Sequence, residues 1–338
     1  MIAPLRRLRG LSLPFMVALL LALAVGPAGI GAQDASPEAT PGAMTLEERM
    51  AQFGPVAANE PYRLAFFQPY PNNVFWQRLQ ASVEARAAED GVEVEVFALG
   101  SDDVAEQVSQ METAVTQGFD GIILGTINAT GIVPGIQAAN EAGIPVLAVD
   151  TAPAGGEIIS LVQTDNVAAS RAAGEFILEA IGGEGKVLNL QGEMGNQTAQ
   201  ARNDGLHQAL DGVEGVEVID QSAEWTQELG LSITENVLQS DPDIKAIFGA
   251  NDPAALGALQ AVKAAGRDDI VIVGFDADPQ AVDAVANGEF AADIAQFPEV
   301  MGAVGVDLMV RHLNGEEVPA LVDSGSGVIT PENVEDFR

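Results

Sequence analysis

The chain has 338 residues, 47% of them apolar, and sets 15 Lys and Arg against 49 Asp and Glu for a formal net charge of −34. That length suits two domains rather than one, and so acidic a surface repels phosphate backbones, which excludes nucleic-acid partners. Cysteine is absent and histidine occurs only twice, which excludes thiolate nucleophiles, disulfides, cysteine-ligated metals and histidine-rich metal centres; no cofactor is expected.

Arg6, Arg7 and Arg9 precede an apolar stretch over residues 11–25, and the small residues Gly29, Gly31 and Ala32 follow. This is the pattern of an export signal ending near Ala32, so residues 1–32 are read as a signal peptide. The apolar stretch is short for a membrane span, an uncleaved anchor being the alternative. The Arg6-Arg7 pair lacks the flanks of a twin-arginine signal, and with no cysteine after the stretch a lipidated cysteine is excluded. The expected location is the periplasm or the extracytoplasmic face of the cell membrane. Residues 33–60 are rich in Ala, Pro, Thr and Glu without a sustained period and read as a flexible tether, with room for a short helix over 44–52.

From Pro61 the chain alternates short apolar runs with longer helical patterns. A strand over 63–68 is followed by a helix over 74–88 behind Asn73, a good N-cap. The alternation continues at 93–98, 103–117, 121–125, 132–142, 146–149 and 159–163. A second series has strands at 186–191, 216–221, 246–249 and 271–274 with helices between. Runs such as Gly121-Ile122-Ile123-Leu124 are apolar on both faces, as parallel strands covered by helices must be. The expected fold class is α/β, two doubly wound parallel-sheet domains in tandem.

Ligands of such sheets bind beyond the carboxyl ends of the strands. Gln68, Asn72, Asn73 and Asp150 fall there in the first half; Gln191, Asn251, Asp252 and Asp276 do so in the second. Phe75, Trp76 and Trp225 are close by. Carboxylates and carboxamides bond hydroxyls, and aromatic planes pack the C–H faces of sugar rings, so two such rims suit a hydroxylated small molecule.

Several motifs together carry a family resemblance. They are Gly118-Phe119-Asp120-Gly121-Ile122-Ile123-Leu124, Gly143-Ile144-Pro145-Val146 ending at Asp150, and Thr164-Asp165-Asn166. Phe248-Gly249-Ala250-Asn251-Asp252 with Ala255-Leu256-Gly257-Ala258-Leu259, Val273-Gly274-Phe275-Asp276 and Ile294-Ala295-Gln296 complete the set. Over about 61–330 the chain resembles the ribose-type periplasmic sugar-binding proteins, the substrate-binding components of ABC importers. The resemblance implies two lobes around a ligand cleft, joined by a three-segment hinge: residues 61–164 with 297–324, and 165–296 with 325–338. It implies a ligand set of Asn73, Phe75, Trp76 and Asp150 from the first lobe, and Trp225, Asn251, Asp276 and Gln296 from the second. Thr151 and Gln200 stand where ribose binders commonly place arginines, while Arg202 keeps the scaffold arginine. Two guanidinium forks are thus replaced while Asp150 and Asp276 remain, a balance that disfavours anions. The implied function is capture of a neutral monosaccharide or polyol by lobe closure and its delivery to a membrane permease, by a monomer. The alternatives are an amino-substituted sugar, or a signalling ligand presented to a chemoreceptor or sensor kinase.

Blander readings stand beside these. Trp76 and Trp225 could be core residues, and Asp150 with Asp276 could be a glycosidase acid pair. Gly182-Gly183-Glu184-Gly185-Lys186 lacks phosphate-loop spacing and precedes a strand, so it reads as a helix-ending turn. His207 and His312 have no ligand-spaced partner, and Met301 and Met309 read as helix core. A sugar-responsive repressor domain would need a DNA-binding helix-turn-helix, and an enzyme a nucleophile, metal or cofactor motif; none is visible.

Overall fold

Apolar runs become strands and helices that alternate along the chain except at β4–β5 and β11–β12, where strand follows strand. The computed structural model describes residues 45–100 and 103–338; the expected export signal over 1–32 and residues 33–44 of the expected tether lie outside the described residues. The first half contains β1 (Arg63–Gln68), α2 (Val74–Asp90), β2 (Glu93–Ala98), α3 (Val104–Gln117), β3 (Gly121–Gly125), α4 (Val133–Glu141), β4 (Val146–Val149) and β5 (Ser160–Gln163), after a short α1 (Leu46–Met50). The second contains α5 (Asn166–Ala180), β6 (Gly185–Gln191), α6 (Gln197–Leu210), β7 (Val216–Ser222), α7 (Gln227–Ser240), β8 (Ile244–Gly249), α8 (Asp252–Ala265), β9 (Val271–Asp276), α9 (Pro279–Ala286) and β10 (Ala292–Ala295). After these come α10 (Pro298–Leu313), β11 (Leu321–Asp323), β12 (Gly327–Ile329) and a 3-10 turn at Val334–Phe337.

The strands form two sheets, ordered β2-β1-β3-β4-β5-β11 and β7-β6-β8-β9-β10-β12. All pairs are parallel except β10–β12. The chain therefore crosses between sheets after β5, after β10 and after β11. The central strands β3 and β4 are buried throughout, which is why they read as unbroken apolar runs. Helix α10 returns to the first lobe and packs Met301, Val304, Leu308 and Met309 into its core.

Composition alone makes residues 45–60 a tether, but the structure places them along the first lobe. Thr45 and Glu48 form a capping box on α1. Met50, Phe53, Val56 and Ala58 then pack against the core. Their backbone carbonyls are claimed by side chains of the lobe: Arg86 Nη2 donates to Met50 O at 3.3 Å, Arg311 Nη2 to Phe53 O at 2.7 Å and Asn314 Nδ2 to Ala57 O at 2.9 Å. Arg49 Nη1 reaches Ser324 O at 3.3 Å, in the last crossing between lobes. Main-chain acceptors are not encoded in composition, so side chains elsewhere decide this docking.

Candidate functional site

At the carboxyl ends of both sheets the chain turns sharply, and there the backbone is strained. Every non-glycine residue at positive φ among the described residues lies at the cleft: Asp150 (64°), Glu224 (48°), Trp225 (65°), Asp276 (133°) and Ala277 (56°). Such conformations cost about 1–3 kcal/mol each and persist where the surroundings over-determine them, commonly at functional sites.

These turns enclose a cavity of about 130 Å³ lined by both lobes. The first lobe contributes Tyr70, Asn73, Phe75, Trp76 and Asp150; the second contributes Asn196, Thr198, Arg202, Trp225, Asn251 and Asp276, with Gln296 at the crossing after β10 and Glu224 and Thr226 at the rim. Both indoles rest on glycine. A Cβ on Gly125, at the end of β3, would meet the Trp76 ring at 2.5 Å, and one on Gly192, just past β6, would meet Trp225 at 2.3 Å. Trp76 also meets Phe75 edge to face, with ring centroids 5.6 Å apart.

The asparagines hold helix ends before anything else. Asn73 Oδ1 accepts from Trp76 N and Asn251 Oδ1 from Ala254 N, while Asn196 Oδ1 accepts from Thr198 N and Ala199 N. The amino-terminal ends of α2, α6 and α8 therefore converge on the cavity. Asn251 Nδ2 also donates to Trp225 O at 3.0 Å, fixing the strained turn that presents the indole.

Arg202 is buried and ties the second lobe's site together. Its guanidinium donates to Asn166 Oδ1, Ala250 O and Asp276 Oδ1, and it lies 3.8 Å from the Phe275 ring centroid and 5.5 Å from that of Trp225. Asp276 also accepts from Gln296 Nε2 at 2.6 Å. Burial pushes Asp276 up to about 8, against the pull of Arg202. Burial likewise raises Asp150, opposed by Arg202 and by its bond from Thr151.

The structure does not bring every expected residue to the cavity. Thr151 is buried but turned away: its hydroxyl donates to Asp150 Oδ2 at 2.7 Å and lies 3.1 Å from Thr198 Oγ1 of the other lobe. Gln200 is exposed and donates to Met194 O. On a helix of 3.6 residues per turn, two positions put Gln200 about 200° from the inward Arg202. Asp252 instead accepts Phe275 N and Asp278 N beneath the Asp276 turn. Tyr70, Asn196, Thr198, Glu224 and Thr226 were not anticipated. For Thr198 a signal existed, since it is four residues before Arg202 and shares its helix face.

The lobes touch around the cavity. Tyr70 Oη donates to Glu193 Oε2 at 3.2 Å, Arg78 Nη1 to Ala277 O at 3.0 Å and Ala129 N to Gly195 O at 3.4 Å. Among the described residues no group of three or more His, Asp or Glu is arranged to hold a metal ion, and no helix is long and apolar enough to cross a membrane.

Two α/β lobes that close on a small aromatic and polar chamber define a solute-binding protein, and a family model for the periplasmic binding protein domain matches residues 64–317. The chain belongs to the periplasmic binding protein family. It is 35% identical over 259 residues to the ribose import binding protein of Haemophilus influenzae, covering 77% of this chain and 88% of that one. It is 29% identical to a xylitol-binding protein of Mycolicibacterium smegmatis, covering 88% and 85%. Among solved structures, an ABC transporter solute-binding protein of Actinobacillus succinogenes with bound D-allose superposes with a TM-score of 0.77 at 26% identity, over 82% of this chain and all of that one.

Proposed function

We propose that this protein is the extracytoplasmic solute-binding component of an ABC importer, and that its cavity captures a neutral monosaccharide or polyol. The observation that carries this reading is the cavity itself: two indoles on glycine seats face a ring of carboxylates and carboxamides drawn from both lobes. The indoles pack ring C–H faces, while Asp150, Asp276 and Gln296 exchange hydrogen bonds with hydroxyls. Among the described residues that line the cavity Arg202 alone is cationic, and its guanidinium is already engaged three times. A phosphate or carboxylate would meet Asp150, Glu224 and Asp276 without a new cationic partner.

The three crossings between lobes serve as a hinge, and closure buries the solute and forms a composite surface for a membrane permease. The protein acts as an exported monomer, outside the cytoplasmic membrane, as a binder rather than an enzyme. The excess of carboxylates over guanidinium in the cavity also favours a second reading, an amino-substituted sugar. A thermal-shift screen of sugars, polyols, sugar acids, sugar phosphates and amino sugars, followed by calorimetry, tests both. The proposal fails if the strongest stabiliser carries a phosphate or carboxylate; an amino sugar as strongest stabiliser selects the second reading.

A further inference from the structure

Among the described residues Asp150 is the first lobe's one carboxylate in the cavity, and one of its oxygens already carries a protein hydroxyl. Its Oδ2 accepts the Thr151 hydroxyl at 2.7 Å, which leaves Oδ1 as the oxygen without a protein hydroxyl on it. Having spent its proton on Asp150, Thr151 Oγ1 can only accept, and its neighbours come from the opposite lobe: Thr198 Oγ1 at 3.1 Å and Asn196 Nδ2 at 3.4 Å. Thr198 Oγ1 also donates to Asp150 O at 3.2 Å, the carbonyl of the strained residue itself, so its one proton is shared between that carbonyl and Thr151 Oγ1 while Asn196 Nδ2 supplies a second donor to Thr151. All four residues are buried, Thr151 completely and the others to 6% exposure or less. Asn196 is the N-cap of α6, and Thr198 lies in its first turn on the face that carries Arg202 four residues on.

We infer that Asn196 and Thr198 are positioning residues that reach across the cleft through Thr151 to fix the Asp150 carboxylate, so that the site is completed only when the lobes meet. With one lone pair of Oδ2 taken by Thr151, the carboxylate plane of Asp150 is fixed and its remaining lone pairs are presented to the ligand in one orientation. In the separated lobes Thr151 and Thr198 face water, and the strained Asp150 turn loses its partner. The clasp therefore acts on retention of a bound molecule and not on its capture. This inference rests on reading the cavity as a sugar site.

The test compares Thr198→Val and Thr151→Val, which keep the side-chain shape without the hydroxyl, with Thr198→Ser and Thr151→Ser, which keep the hydroxyl. D-ribose, D-allose, xylitol and myo-inositol are the probes in stopped-flow binding. The valine variants are expected to release the best-bound probe roughly tenfold faster, with association within about twofold of wild type, as loss of a hydrogen bond in a charged chain dictates. The serine variants should release at close to the wild-type rate. Equal losses in serine and valine, unchanged release in valine, or a loss carried by association would overturn the clasp. If no probe binds the wild type, the sugar reading fails, and spin labels at Glu112→Cys and Glu235→Cys, one on each lobe, decide the clasp in ligand-free protein. A short-distance population lost in Thr198→Val supports it. Its persistence in that variant, or its absence from wild type, overturns it.

Discussion

Replacing Asp276 by asparagine should move stability and affinity in opposite directions. In the empty protein this carboxyl is buried, and its pKa is raised from 3.8 to about 8. An acid whose native pKa is raised stabilises the fold least where the unfolded chain has released the proton and the native state has not. Its cost is absent near pH 4, grows as pH rises above 3.8 and levels off near 8. About three pH units separate 3.8 from neutrality, each worth about 1.4 kcal/mol, so at pH 7 the cost approaches about 4 kcal/mol. Asparagine carries no such cost, and its Oδ1 can still accept from Gln296 Nε2 and Arg202 Nη1, the present partners. Chemical denaturation should therefore find Asp276→Asn more stable than wild type at pH 7, by up to about 4 kcal/mol, and equal to it near pH 4. Calorimetry with the best sugar from the screen at pH 7 should show binding weakened by about 0.5–1.5 kcal/mol, the worth of a hydrogen bond to a neutral group. A variant less stable than wild type at pH 7, or a difference that ignores pH, would refute the reasoning. Either result would mean that Asp276 stays ionised against Arg202 in the empty cleft.

Trp225→Ala removes the second lobe's aromatic plate from its seat on Gly192 and should cost about 2–4 kcal/mol of sugar affinity by calorimetry; wild-type affinity would place the ligand elsewhere. A chain beginning at residue 61 loses the half-buried Met50, Phe53, Val56 and Ala58 and should unfold with about 4 kcal/mol less free energy in urea; unchanged stability would mean that residues 45–60 do not dock in solution. Small-angle scattering should show a smaller radius of gyration once the best sugar is added, and equal compactness with and without it would contradict closure.

Much of the fold was legible in the sequence because its determinants are local. A short apolar run such as Gly121-Ile122-Ile123-Leu124, β-branched and bounded by turn residues, reads as a strand buried on both faces, and Asn73 before a helical pattern marks where α2 begins. Asp150 and Asp276 could be singled out because they stand at the carboxyl ends of strands, Asp150 just past β4 and Asp276 closing β9, where open α/β sheets carry their ligands. Tertiary structure decided which way the neighbouring residues face. The left-handed turn at Asp150 sends Thr151 into the contact with Thr198, and the pitch of α6 turns Gln200 outward while Arg202 goes in. The docking of residues 45–60 was equally out of reach, since it depends on Arg86 and Arg311 finding main-chain carbonyls far away in the chain. Strand and helix periods are written within a few consecutive residues, whereas the partners of a buried hydroxyl or guanidinium are set only when distant segments pack together.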